Sequence, residues 1–530
     1  MGVLDYIWLG ILAVFHGPEL FAIAGVPVSV TIVMVLLGFL IGIVVGSTPG
    51  LAGPMAMAVS LPILISIFGF TPDALLPVMG FLIGVMKGAT IGGAVPAILF
   101  NTPGTPDAFM TTLDGYPMAQ NGEAKRALKV AHFSSASGDT FSDIVLILCA
   151  PFLALLVEAY LDLPEKTALL ILSLAFISAV IGNSVGKGLI SMGLGLLAAY
   201  VATGEDFYPR LTMGVPALSD GFPIATAVLG VLILGEVFKG LEDQMNERAA
   251  GRAAAVPAQN ADQKLTGADI KGLLPFIGRS AVIGTLIGAL PGIGSTLAAT
   301  LGYASGRRRQ EARGGKAFGT GAPEGIASTE AANSSVSGAN LIPVLSLGIP
   351  GNAAAVFLIL AADSIGGFNP GPSVFRFTAD EVNPELVIAF GLFTTMMLAN
   401  LMNWTIGGVF MRAMGIMIRV PKHILLPIVL LLTLTAIYVQ ETSLAAVWFA
   451  IGFGVMGYLM RRVGMSPLPF VIAFILGGNL EATARQAFSA TGGDPFFLVK
   501  SPIAAVFLIL TIAVVIFAAR PSPAKKAEKL

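Results

Sequence analysis

Gly38-Phe39-Leu40-Ile41-Gly42-Ile43-Val44-Val45-Gly46-Ser47-Thr48-Pro49-Gly50 decides how the chain is read. The stretch is apolar, carries glycine every fourth residue and ends on a Pro-Gly pair. It lies within 20–72, a run free of Asp, Glu, Lys and Arg. The pattern returns later, where Ile41-Gly42 … Gly46-Ser47-Thr48-Pro49-Gly50 is echoed by Ile283-Gly284 … Gly288-Ala289-Leu290-Pro291-Gly292. A second echo pairs Pro96 … Pro103-Gly104 with Pro343 … Pro350-Gly351. Each half therefore carries two Pro-Gly breaks, in the same order and inside apolar sequence.

Proline removes a backbone donor and glycine accepts unusual dihedrals, so a helix opens at such a pair. In hydrocarbon, freed backbone groups are tolerable only where they line a cavity or meet a ligand. The N-termini of the resulting half-helices offer unpaired N–H groups and positive dipole ends, which suit an anion. Released carbonyls suit a cation such as Na⁺. The spacings Gly38-Gly42-Gly46 and Gly284-Gly288-Gly292 are also ordinary small-residue contact faces. We read the isolated glycines as packing and the paired breaks as a site.

Composition agrees with a membrane setting. The 530 residues are 55% hydrophobic and 12% charged, with 63 glycines and 33 prolines. The mean hydropathy is +0.85. A soluble chain of this length would have about a quarter of its residues charged. Net charge is −1, which gives no attraction to nucleic acid, and the single Cys149 excludes a disulfide framework or thiolate cluster. No basic region precedes the first apolar stretch, so no cleavable signal is expected.

Charge-free runs at 20–72, 144–157, 167–186, 188–204, 221–235, 280–306, 331–362, 386–411, 423–440, 442–460, 463–480 and 501–519 predict an all-α polytopic membrane protein. Roughly ten to twelve transmembrane helices are expected, with broken or re-entrant segments. Residues 1–26 hold an interfacial helix or a first span. The first repeat half is 27–238, residues 239–271 are a polar cytoplasmic linker, the second half is 272–519, and 520–530 is a basic tail.

The basic loops fix the sides. Arg412, Arg419 and Lys422, then Arg461 and Arg462, then Arg520, Lys525, Lys526 and Lys529 are each two runs apart. They fall on one side, the cytoplasmic one, together with the C-terminus. The loops at 363–385 and 481–500 between them are acidic or balanced. After the first break the second half is basic (307–316), whereas the first half has only Asp73. After the second break the sign reverses, because 107–129 ends basic and 363–385 is acidic. Equivalent loops facing opposite sides are the mark of inverted-topology repeats, which build their substrate site from broken helices at the midplane.

The text around the breaks resembles the large permease subunit of tripartite tricarboxylate transporters. It includes Gly46-Ser47-Thr48-Pro49-Gly50, Gly92-Gly93, Ile98-Leu99-Phe100-Asn101-Thr102-Pro103-Gly104 and Asp114-Gly115-Tyr116-Pro117-Met118-Ala119. In the second half it covers Phe318-Gly319-Thr320-Gly321-Ala322-Pro323-Glu324-Gly325, Glu330-Ala331-Ala332-Asn333, Pro343, Leu347-Gly348-Ile349-Pro350-Gly351 and Pro370-Gly371-Pro372. The resemblance covers nearly the whole chain. It implies ion-coupled secondary uptake of di- or tricarboxylates or related organic anions across the bacterial cytoplasmic (inner) membrane. It also implies two partners, a small integral-membrane subunit and a periplasmic solute-binding protein. No cofactor is implied beyond transported Na⁺ or H⁺, and the chain is not expected to be an enzyme. Two departures leave substrate and ion open. Lys87-Gly88-Ala89-Thr90 stands where family members often have an aromatic, and Ser334 follows Asn333 where a second Asn is usual.

The expected substrate-binding residues are Ser47, Thr48, Pro49, Gly50, Asn101, Thr102, Pro103, Gly104, Gly292, Ile349, Pro350, Gly351, Asn352 and Lys87. The polar ones among them either hold substrate or cap helices. Lys87 lies in the otherwise uncharged stretch 74–106, where an intramembrane charge is a functional candidate. It either pairs with a substrate carboxylate or snorkels to an interface. Glu324, Glu330 and Asn333 are candidates for ion coupling, the alternative being structural hydrogen bonds. His16, His132 and His423 have no metal-ligand spacing, so no fixed metal site is expected. The run Gly182 to Lys187 falls one residue short of a phosphate-binding loop, and Gly188 stands where Ser or Thr is required. H-E-x-x-H and G-x-S-x-G are absent. An anion channel, or a carrier that needs no binding protein, is the alternative, and a homo-oligomer is left open.

Overall fold

The computed structural model describes residues 2–23, 26–48, 51–180, 184–203, 208–248, 265–291, 294–377, 381–417 and 422–519. They form an all-α polytopic membrane protein with two short β-hairpins. Among the described residues, six helices are long and apolar enough to cross a membrane, and others are apolar but shorter. The breaks bound Val30–Gly46, Gly53–Phe68 and Ala353–Ile365 among the short ones. The 17 residues of Val30–Gly46 rise roughly 25 Å, less than the roughly 30 Å of a hydrocarbon core.

The chain forms two compact units, 1–155 with 244–425 and 156–243 with 426–530. Each draws on both sequence halves, so the halves read from the repeat are not the compact units. Of the expected linker 239–271, residues 249–264 lie outside the described set, and its ends continue the helices Gly235–Arg248 and Gly267–Gly288.

In the first unit we number the helices α1 (Val3–Phe15), α2 (Val30–Gly46), α3 (Gly53–Phe68), α4 (Leu75–Gly92), α5 (Ala94–Phe100), α6 (Phe109–Gln120), α7 (Ala124–Tyr160), α8 (Gly267–Gly288), α9 (Gly294–Arg313), α10 (Pro323–Ala339), α11 (Leu341–Leu347), α12 (Ala353–Ile365) and α13 (Pro384–Met402). The order α2 to α5 is repeated by α8 to α11. In both series the first helix packs on the third. In both, a seven-residue helix with proline at its third position ends on a left-handed residue, Asn101 (φ 52°) or Gly348 (φ 70°). The same closure follows, with Thr102 N–H donating to Pro96 C=O (3.3 Å) and Ile349 N–H to Pro343 C=O (3.2 Å).

Glycine sets the separation of α2 from α4. A β-carbon at Gly38, Gly42 or Gly46 would come within 2.1, 2.5 or 2.2 Å of the Phe81, Val85 or Ala89 carbonyl oxygen. Gly84, Gly88 and Gly92 approach α2 as closely from the other side. The small-residue stripe is thus a backbone-to-backbone seam. The second half repeats it at Gly284, where a β-carbon would lie 2.2 Å from Ala332 C=O. Gly88→Leu should force α2 and α4 apart and abolish monodisperse protein in size-exclusion chromatography. Overpacking at a backbone contact costs on the order of 3 kcal/mol or more. Gly278→Ala on α8, where nothing lies within 4 Å, should instead raise the melting temperature, since alanine is favoured in helices by about 1 kcal/mol.

In the second unit, the helix Ile224–Leu229 passes through a π turn, Gly230–Leu234, into Gly235–Arg248. A π turn spoils the regular ladder and frees carbonyls. Arg461, at the end of Leu444–Arg462, donates to Val231 C=O and Leu232 C=O (both 2.8 Å) and pairs with Glu236 (2.7 Å). This arginine, expected in a basic loop, folds back onto the protein and mends the turn.

Candidate functional site

The breaks of both repeats reach one cavity of about 220 Å³ in the first unit. Ala52 and Gly53, just after the first break, line it, as does Thr105 after the second. Gly294 and Ser295, after the Pro291-Gly292 pair, and Asn352, after Pro350-Gly351, complete that side. Met86 and Thr90 of α4 and Asn333, Ser337 and Asn340 of α10 form the rest of the wall. Three of the four breaks therefore deliver the N-termini of α3, α9 and α12 to the same space, and the Pro103-Gly104 break brings Thr105 and Asp107 there. Each such terminus carries N–H groups without intrahelical partners and a partial positive charge.

The lining is largely apolar, set with a few neutral polar side chains and nearly uncharged. Among the described residues that line the cavity, the charged one is Asp107, which accepts a hydrogen bond from the Thr296 hydroxyl (2.7 Å). Asn333 is 2% exposed, and neither its side-chain oxygen nor its nitrogen has a hydrogen-bond partner within the protein. A buried amide in this state loses its hydration without compensation, which makes Asn333 a candidate site residue. Asn352 serves as a cap, its oxygen accepting from Ala355 N–H (2.8 Å).

The other expected residues have different surroundings. The Ser47 hydroxyl donates to Gly92 C=O (3.2 Å), that of Thr48 to Val44 C=O (2.9 Å) and that of Thr102 to Phe100 C=O (3.1 Å). Asn101 is an exposed left-handed C-cap. Pro103 and Gly104 close the loop after α5, where a β-carbon on Gly104 would lie 2.1 Å from Gly46 C=O. Ile349, Pro350 and Gly351 are buried behind the start of α12. None of these side chains lines the cavity, whereas Asn333 and Asn352 do. Pro49, Gly50 and Gly292 lie outside the described residues.

Lys87 is fully buried on α4 and neither snorkels nor faces the cavity. Its ammonium lies 2.7 Å from a carboxylate oxygen of Asp139 and 2.7 Å from one of Asp143, both on α7. It also donates to the Asn400 side-chain oxygen on α13 (3.2 Å), and the Asn400 amide nitrogen donates to Asp143 (2.7 Å). The Ser337 hydroxyl on α10 donates to Asp139. Four helices thus meet at one buried charge cluster, directly behind the cavity wall formed by Met86 and Ser337. Sequence reading missed Asp139 and Asp143. Their spacing of one helical turn on an apolar helix was the available signal.

Glu324 stands in the first turn of α10. Glu330 is completely buried and accepts hydrogen bonds from the hydroxyls of Thr111 on α6 and Ser135 on α7. Neither glutamate lines the cavity. Close by, Asp114 of α6 accepts backbone N–H donors from Gly319 (2.9 Å), Gly321 (2.9 Å) and Ala322 (2.8 Å), and the Tyr303 hydroxyl (3.0 Å). The two glycine-rich motifs quoted from the two halves therefore interlock.

A helical core broken at matching places in two repeats, with the breaks opening on one shared cavity, defines a polytopic membrane protein. Residues 32–472 match the family model described as "Tripartite tricarboxylate transporter TctA family". The chain belongs to that family of transporters. It is 31% identical over 508 residues to an Agrobacterium vitis protein described as "Uncharacterized 52.8 kDa protein in TAR-I ttuC' 3'region", covering 94% of this chain and 95% of the relative. A second Agrobacterium vitis protein, "Uncharacterized protein in TAR-II ttuC' 3'region", is 31% identical over 251 residues, covering 47% of this chain and 98% of that one. No solved structure matches.

Proposed function

We propose that the chain is the large subunit of a tripartite carrier of the bacterial inner membrane. It takes up di- or tricarboxylates or related organic anions by alternating access, driven by an ion gradient. It works with a small integral-membrane subunit and receives substrate from a periplasmic solute-binding protein, and its C-terminus is cytoplasmic. The two halves are inverted repeats, and their breaks supply the substrate site.

The observation that carries this reading is the cavity at which three helix N-termini meet. Its described lining contains no lysine or arginine. A carboxylate bound there is held by helix dipoles, backbone N–H groups and the amides of Asn333 and Asn340, not by a fixed countercharge. A polyanion entering such a site beside Asp107 is favoured when a cation enters with it, which links binding to coupling.

Proteoliposomes holding both membrane subunits, with the binding protein outside, should accumulate at least one of labelled citrate, succinate, malate and tartrate when Na⁺ and pH gradients are imposed. Uptake that continues unchanged once every ion gradient is collapsed would overturn the reading. Asn333→Leu should lower the initial uptake rate about tenfold to a hundredfold, the worth of one hydrogen bond to a charged ligand. Its chromatographic profile should be that of the parent.

A further inference from the structure

Lys87 supplies one positive charge and Asp139 with Asp143 two negative ones, all fully or nearly fully buried. The ionised cluster carries a net charge of −1 in a place where uncompensated charge is costly. One oxygen shows the deficit directly. Asp143 Oδ1 is buried and has no hydrogen-bond partner in the protein. It abuts α10, where a β-carbon on Gly338 would come within 2.2 Å of it.

That geometry selects the ligand. The space between the two carboxylates is already filled by the Lys87 ammonium. The unpartnered Asp143 Oδ1 faces the backbone at Gly338, and neither aspartate lines the cavity. A hard metal ion needs several oxygen ligands around it, and among the described residues no group of three or more His, Cys, Asp or Glu is placed to hold one. A proton needs none.

We propose that Asp139 and Asp143 share one transported proton, and that Ser337 conveys the state of the pair to the substrate cavity. This rests on the carrier reading above. The proton adds to a carboxylate oxygen of the pair, taking the cluster from −1 to neutral, and Lys87 stays paired with the carboxylate that remains ionised. No other bond is made or broken. Ser337 belongs to both places, donating to Asp139 and lining the cavity. When Asp139 is charged it holds the Ser337 hydroxyl. When the pair is neutralised that demand falls, and a carboxylate in the cavity competes for the hydroxyl only with the Ser334 C=O, 2.8 Å away. Proton and substrate then favour each other, and by linkage the effect is reciprocal.

The surrounding elements bring few other titratable groups. From α10 there is Glu330, held by Thr111 and Ser135. From α7 there is His132, whose ring nitrogen meets Asn403 C=O (2.9 Å). Asp107 stands across the cavity. α13 presents the neutral Asn400 and carries Glu385 only in its first turn. α12 carries Asp363 only near its C-terminal end, and α2 and α3 contain no titratable residue.

The test is infrared difference spectroscopy of the purified complex of both membrane subunits during an acid titration. The parent should gain a carboxylic-acid C=O band that both Asp139→Asn and Asp143→Asn lose, because one aspartate facing Lys87 is neutral without a proton. A band unchanged in both variants overturns the proposal, as does a band that responds to Na⁺ and not to pH. Should the aspartate variants fail to fold, the parent decides. In weakly buffered solution, addition of whichever of citrate, succinate, malate or tartrate the liposomes accumulate should take up about one proton per substrate bound, and no uptake overturns the proposal. Ser337→Ala should keep the band and lose substrate-linked proton uptake, which a merely structural serine would leave intact. If none of the four acids is accumulated, the carrier reading fails while the titration still decides the proton site.

Discussion

Replacing Lys87 with methionine should destabilise the protein strongly, and a second set of substitutions should reverse the damage. Methionine fills a similar space, so the loss is one of charge and not of volume. Asp139 and Asp143 would then lie buried without a cation, and their hydrogen bonds from Ser337 and Asn400 do not replace it. Removing one partner of a buried ion pair costs about 3–5 kcal/mol, a large part of a typical stability of about 5–15 kcal/mol. The melting temperature of the detergent-solubilised complex should fall by roughly 5–15 °C, given a few degrees per kcal/mol in a large domain.

The triple variant Lys87→Met, Asp139→Asn, Asp143→Asn removes every charge in the cluster and should recover most of that loss, since a buried charge cluster replaced as a whole is often neutral or stabilising. Transport should remain absent. Recovered stability with lost uptake separates the function of the cluster from its part in folding. If the triple variant melts as low as Lys87→Met alone, the damage came from packing and the electrostatic account fails.

The repeat was legible because it is written in backbone chemistry. Gly38, Gly42 and Gly46 recur at one-turn spacing and meet backbone across the seam, and the Pro-Gly pairs mark helix ends whose flanking residues line one cavity. Side-chain roles were less legible. Ser47, Thr48 and Thr102 stand beside breaks, but a hydroxyl near a helix end has a carbonyl within reach and bonds it first. Asp139 and Asp143 escaped for a different reason. A search for charge-free runs starts the span at 144, whereas α7 runs from Ala124 to Tyr160 and brings both aspartates into the protein. Their partners, Lys87 and Asn400, lie on α4 and α13. Such a cluster is invisible to any local window. Lys87 was singled out by its isolation, but its partner proved to be the protein itself.

Asp114→Ala should be comparably severe, and its effect should spread from α6 to the start of α10. One oxygen of Asp114 accepts three backbone N–H groups, from Gly319, Gly321 and Ala322, and the other accepts the Tyr303 hydroxyl. Those N–H groups lead into α10, where the helix dipole adds to the attraction for a carboxylate. Gly319 and Gly321 take positive φ, 87° and 93°, so the backbone can turn its N–H groups inward at little cost. Tyr303, on α9, ties the third helix to the same carboxylate. Truncation leaves buried donors without acceptors, and charge-assisted bonds of this kind contribute about 1.5–3 kcal/mol each, so the total loss should be roughly 3–5 kcal/mol after partial rehydration. Hydrogen exchange should show faster labelling confined at first to 314–325 and the first turns of α10, ahead of global unfolding. Asp114→Asn keeps one acceptor for the three N–H groups and loses the charge and the Tyr303 acceptor. It should fall between the parent and the alanine variant. Because α10 carries both Asn333 and Ser337, loosening its start should lower uptake even at temperatures where the protein stays folded. An alanine variant with unchanged exchange over 314–325 would show that the carboxylate does not hold this turn.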